Sequence, residues 1–200
     1  MSMLGGKPVY VALLHGPVLN RQGLEVTTAV TNMDIHDISR TARTYGARGY
    51  FIVTPIAPQR GLVERILEHW RKPDAKDWHP DRVEALSLVR LVSSFDEVLE
   101  SIRAETGLAP GEKPEVVFTD ARPKYGEQKN SVNYAELRGR WQTDMKPALI
   151  VFGTGFGISE RFLPVVDTFL APIFGPDTSY NHLSVRAATA AIMDRLFGDR

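Results

Sequence analysis

Ala148-Leu149-Ile150-Val151-Phe152-Gly153-Thr154-Gly155-Phe156-Gly157 is the stretch on which the fold turns. Its first five residues are apolar at every position instead of alternating, so a strand here has both faces covered, as strands do inside a parallel sheet. It then runs into three glycines at alternate positions, which expose backbone amides and let a ligand approach the main chain. Working outward, five more short apolar runs stand at 8–14, 49–54, 87–92, 115–119 and 167–171, and the strand above spans 148–152. Helical patterns separate them. Ile35, Ile38, Ala42 and Tyr45 recur at spacings of three and four, which makes 34–46 an amphipathic helix stopped by Gly46. Further helices are expected at 62–71, 95–106, 131–141 and 183–196, with an irregular surface loop at 72–80, where two prolines fall. Strands alternating with helices give an α/β fold with a mostly parallel sheet and helices on both faces.

The whole chain has 200 residues and 22.3 kDa, with 43% hydrophobic and 24% charged residues. That composition fits one compact domain, 1–200, and excludes a disordered or collagenous chain. No apolar run approaches the roughly 20 residues needed to cross a bilayer. The opening Met1-Ser2-Met3-Leu4-Gly5-Gly6-Lys7 lacks the basic and apolar regions of a secretory signal, so a cytoplasmic protein is expected. Lys and Arg number 24, as do Asp and Glu, and this balance argues against an obligate polyanion coat while permitting a local basic patch. The absence of cysteine excludes disulfides, thiolate metal sites and a cysteine nucleophile.

Three segments carry polar groups in patterns that suit chemistry. In 32–46, His36, Asp37, Arg40 and Thr44 share the polar face, with Asn32 or Asp34 as the cap and Asp37 paired to Arg40 as the plain alternative. The glycine turn 153–157 superficially suggests a dinucleotide fingerprint. That fingerprint belongs in the first strand-to-helix turn of a longer unit, and only 43 residues follow Gly157. In 171–188, Pro172, Gly175 and Pro176 fix an unusual loop crowded with Ser179, Tyr180, Asn181 and Ser184, and Asn181 is placed to cap the alanine-rich last helix. His15, His36, His69, His79 and His182 show no metal-ligand spacing, and no Gly-x-Ser-x-Gly elbow exists.

Together these segments resemble the SPOUT class of S-adenosylmethionine (SAM)-dependent RNA methyltransferases, the trefoil-knot α/β enzymes, and more narrowly its small bacterial single-domain group. Arg40-Thr41-Ala42 followed by Tyr45-Gly46 is similar to the first motif, Phe152-Gly153-Thr154 with Gly157-Ile158 to the second, and Pro172-Ile173-x-Gly175-x-x-x-Ser179-Tyr180-Asn181-x-x-Ser184-Val185 to the third. Two departures stand out: Asp34 replaces the asparagine six positions before the arginine, and the second motif lacks its usual glutamate. The resemblance implies a C-terminal knot over about 115–196, with the last helix threaded through the loop of roughly 119–147. It implies a SAM site at Thr119, Asp120, Phe152, Gly153, Thr154, Gly155, Gly157, Ile173, Tyr180, Asn181, Leu183, Ser184 and Val185. It also implies a homodimer with the RNA target, tRNA or rRNA, between subunits.

For the transfer itself the expected residues are Arg40, Asp34 and Asn181. The Arg40 guanidinium offers a fork to phosphate or an activated ribose oxygen and cannot serve as a base. Asp34 or Asp37 would take the proton, and Asn181 would orient the acceptor or the methionine carboxylate. Whether the acceptor is a ribose hydroxyl or a base nitrogen stays open, as does a non-catalytic SAM- or RNA-binding relative. RNA contact is expected along Arg122, Lys124, Lys129, Arg138 and Arg140, with Tyr125 and Tyr134 interleaved.

Overall fold

A computed structural model describes residues 6–199; the reading of the opening seven residues as carrying no signal lies mostly outside these. In chain order come strands β1 (Val9–Leu14), β2 (Val18–Leu19) and β3 (Glu25–Val26), helix α1 (Asn32–Thr44), β4 (Gly49–Val53), α2 (Ala57–Trp70), α3 (Pro73–Trp78), α4 (Pro80–Leu86), β5 (Val89–Val92), α5 (Phe95–Thr106), β6 (Glu115–Thr119), β7 (Ser131–Val132), α6 (Tyr134–Trp141), β8 (Ala148–Gly153), β9 (Thr168–Leu170) and α7 (Val185–Phe197). Seven strands form a sheet in the order β5-β4-β1-β8-β6-β9-β7, and its pairings are parallel. No described helix is long and apolar enough to cross a membrane.

Burial explains why the strand runs are apolar throughout. In β1, Val9, Val11 and Leu13 enter the core on one face of the sheet, whereas Tyr10, Ala12 and Leu14 enter that on the other. In β8, Ala148, Ile150 and Phe152 fall on the first side and Leu149 and Val151 on the second. Each large side chain so placed contributes about 1.5–3 kcal/mol.

Four local expectations are corrected by backbone hydrogen bonding. Residues 72–80 are not an irregular loop: Pro73 and Pro80 occupy the first turns of α3 and α4, where a missing N–H costs nothing. Residues 131–132 are an edge strand and not helix, because Asn133 and Glu136 close a capping box that starts α6 at Tyr134. Thr31, not Asn32 or Asp34, caps α1 by accepting from the Asp34 amide. Ser184, not Asn181, caps α7 by accepting from the Ala187 amide. The antiparallel pair β2–β3 was not anticipated, its strands being two residues each.

Glu115 joins three elements of the carboxyl half. It is buried and accepts from Trp141 Nε1 at 2.7 Å and Thr168 Oγ1 at 2.9 Å, and Arg140 pairs with it. β8, β6 and β9 are neighbours in the sheet, so the loops that follow them leave side by side, the place where open parallel sheets form crevices.

His15, just past β1, is fully buried with Nδ1 3.2 Å from Thr28 Oγ1, and burial lowers its imidazole pKa from 6.5 to about 4. The unfolded chain thus binds the proton first as pH falls, and stability conferred by the neutral ring is lost between pH 6.5 and about 4. In that window a urea-unfolding series should show a slope of up to about 1.4 kcal/mol per pH unit that His15→Gln removes. An identical slope in the variant would reject the assignment.

Candidate functional site

The carboxyl ends of β6, β8 and β9 open into a cavity of about 510 Å³, inside the range of about 300–1,000 Å³ common for small-molecule sites. Its walls come from the loops after those strands, from Tyr134 at the start of α6 and from α7 as far as Ile192. Phe152, Leu170, Ile173, Leu183, Val185 and Ile192 make it mainly apolar. Between Pro172 and Ser184, the Tyr180 and Leu183 amides donate to Thr178 Oγ1 and the Asn181 carbonyl. Among the described residues, the amides of Ile173, Asn181 and Ser184 find no acceptor. An apolar slot edged by uncommitted amides suits a flat nitrogen heterocycle.

The glycine turn is shaped by its packing. Gly155 and Gly157 have φ of 63° and 106°, in the left-handed region that favours glycine. A Cβ on Gly157 would collide with the Arg122 guanidinium, and one on Gly153 with the Ile158 side chain. Arg122 holds Asp120 in a fork, with Nε 2.8 Å from Oδ1 and Nη2 2.7 Å from Oδ2, which raises the Arg122 pKa. The Asn181 side-chain amide donates to the Ala121 carbonyl and so ties the loop before α7 to the loop after β6.

Of the residues expected at this cavity, Thr119, Asp120, Phe152, Gly153, Thr154, Gly155, Gly157, Ile173, Asn181, Leu183, Ser184 and Val185 line it. Tyr180 does not; it is 68% exposed, its ring edge-on to His182. Leu170 and Ile192 line it without a signal in the sequence, and Arg122 and Tyr134, expected along the RNA contact, line it too. Arg122 stands two residues after Asp120, a spacing that suits a carboxylate clamp; Ile192 projects from the middle of α7, and no local pattern marks it.

Arg40 lies elsewhere. It lines a second, more open cavity of about 550 Å³ built from α1, α2 and α4, which shares no residue with the first. Asp37 does not pair with Arg40: it accepts from Arg186 Nη1 at 3.1 Å. Asp34 is buried, accepts from Thr31 Oγ1 at 2.6 Å and lies 3.7 Å from Arg186 Nε. His36 is held below its ordinary pKa by burial and by Arg82. Three of the five cations expected along 122–140 are spent on carboxylates: Arg122 on Asp120, Lys124 on Glu160 and Arg140 on Glu115.

Residues 8–198 match the family described as SAM-dependent RNA methyltransferase. An uncharacterized protein of Aquifex aeolicus is 42% identical over 94% of this chain and 88% of its own length. A tRNA (guanine-N(1)-)-methyltransferase of Oleidesulfovibrio alaskensis is 41% identical over 97% of this chain, which spans only 43% of that longer protein. Among solved structures, a probable methylase family protein from Haemophilus influenzae superposes with a TM-score of 0.62 at 18% identity, over 98% of this chain and 65% of that one.

Proposed function

The chain belongs to the SAM-dependent RNA methyltransferase family, in the SPOUT class its motifs resemble, and from that premise we propose that it methylates tRNA as a homodimer, with the donor in the apolar cavity and the acceptor brought by Arg40. The observation that carries the reading is the convergence on one cavity of twelve residues from 119–120, 152–157 and 173–185 that the motif resemblance implies. The tRNA assignment rests on the Oleidesulfovibrio relative. The same proposal takes 1–200 as one domain with a knot over about 115–196, its last helix threaded through the loop of roughly 119–147, a reading supported by the Asn181 bond to Ala121.

When bound, SAM supplies a methyl group on a sulfonium. The residues present fit it: the apolar walls and the uncommitted amides take the adenosyl part, and Asn181, with one amide hydrogen spent on Ala121, keeps Oδ1 and a second N–H for the acceptor or the methionine carboxylate. In-line displacement needs donor and acceptor held near attack geometry and one proton removed. Arg40 holds the acceptor through its fork, and a carboxylate of α1 takes the proton, either Asp37, which lines the Arg40 cavity, or Asp34, buried beside Thr31 and Arg186 less than two turns from Arg40. Because Arg40 and the donor cavity are separate within one chain, a second copy supplies the juxtaposition.

Calorimetry with S-adenosylhomocysteine tests the donor site: Asn181→Ala should weaken binding about tenfold or more, as losing a hydrogen bond and its loop tie requires. An unaltered isotherm rejects the assignment. Incorporation of labelled methyl into bulk tRNA then separates an enzyme from a relative that binds SAM or RNA without turnover.

A further inference from the structure

We propose that the cavity between α1, α2 and α4 is a binding site for one single-stranded nucleotide of the RNA, with its base on Trp70 and its flanking phosphates on Arg65 and Arg82; the proposal rests on the RNA-methylating reading above. The cavity presents three guanidinium groups, Arg40, Arg65 and Arg82, against one carboxylate, Asp37, which Arg186 already bridges. Among the described residues, none of the three has an ion-pair partner, whereas Arg43 on α1, Arg71 just past α2 and Arg186 on α7 do. Helical spacing brings them together: His36 and Arg40 are four apart on α1, and Arg65 with His69 and Ile66 with Trp70 are four apart on α2.

Trp70 forms the wall of this cavity. Arg82 sits over its ring at 5.0 Å, and His36 and His69 meet it edge-on at 5.6 and 5.3 Å. An indole covered by one mobile guanidinium, with two more unpaired guanidinium groups in the same cavity, is the chemistry that holds an unstacked base between its phosphates, the base taking the place of Arg82 over the ring as Arg82 turns to a phosphate. An acidic peptide would also meet the cations, but it has no use for the indole plane. The five cations of 122–140 are less suited, three being neutralised by carboxylates.

The test uses the full chain, bulk tRNA and a short single-stranded oligouridine. Arg65→Ala with Arg82→Ala should weaken oligouridine binding at least tenfold and flatten the slope of log affinity against log salt by about 1.4, two phosphate contacts being lost. Trp70→Leu should weaken binding about tenfold without changing that slope, and Trp70→Phe should restore it. Because Trp70 packs on the core, thermal melts confirm that each variant folds. In Trp78→Phe, RNA should still quench indole emission, and in Trp70→Phe the quench should disappear. Unchanged affinity and slope in the arginine pair, or a quench that survives Trp70→Phe, overturns the site while leaving wild-type methyl transfer intact. Binding that behaves as described without methyl transfer by the wild type would instead retire the enzymatic reading and keep the site. Loss of binding to an acidic peptide but not to RNA in the arginine pair also overturns it.

Discussion

Trp141→Ala is expected to remove about 3–5 kcal/mol of unfolding free energy, measured by urea denaturation at neutral pH. The indole is fully buried, stacks on Phe197 of α7 at 6.0 Å and donates to Glu115 at 2.7 Å. Deleting it opens a cavity between α6 and α7 and strips a buried carboxylate of one donor, so both effects act in the same direction. Trp141→Phe keeps most of the volume and loses the donor, and should cost less. Equal losses in the two variants would mean that packing contributes little. A loss below about 1 kcal/mol in Trp141→Ala would contradict the role of the Glu115 junction.

Arg40→Ala should abolish most methyl transfer, about 10²-fold or more in turnover, while affinity for S-adenosylhomocysteine stays unchanged. Arg40 lines no part of the donor cavity, so its loss removes no contact to the donor within its own chain. Arg40→Lys should recover little, since a point charge does not reproduce a planar fork. If Arg40→Ala lowers donor affinity together with turnover, the helix has been disturbed and the acceptor role fails. If neither quantity moves, Arg40 takes no part in the reaction.

Much of the fold could be read from residue order because the central strands are buried on both faces, and β6 and α5 begin and end where their apolar patterns do. The errors fall where one local bond decides an element. Ser131 and Val132 pair with β9 through a register that no helical periodicity reveals, and the bend at Asn133 depends on Glu136 reaching back. Asn181 has the right type for a cap, yet the chain turns into α7 three residues later and frees its amide for Ala121. Twelve of the residues that line the cavity beyond β6, β8 and β9 were legible through the motif resemblance, which erred at Tyr180. Trp70, Arg65 and Arg82 were not, because their convergence comes from helices α2 and α4 packing on α1, which joins positions up to fifty residues apart only in three dimensions.

Arg186, at the second residue of α7, grips Asp34 and Asp37 in the opening turns of α1. One guanidinium thus fastens α7, into which the Asn181 loop leads, to the helix bearing Arg40, and without it the two carboxylates of α1 would lose the cation they share.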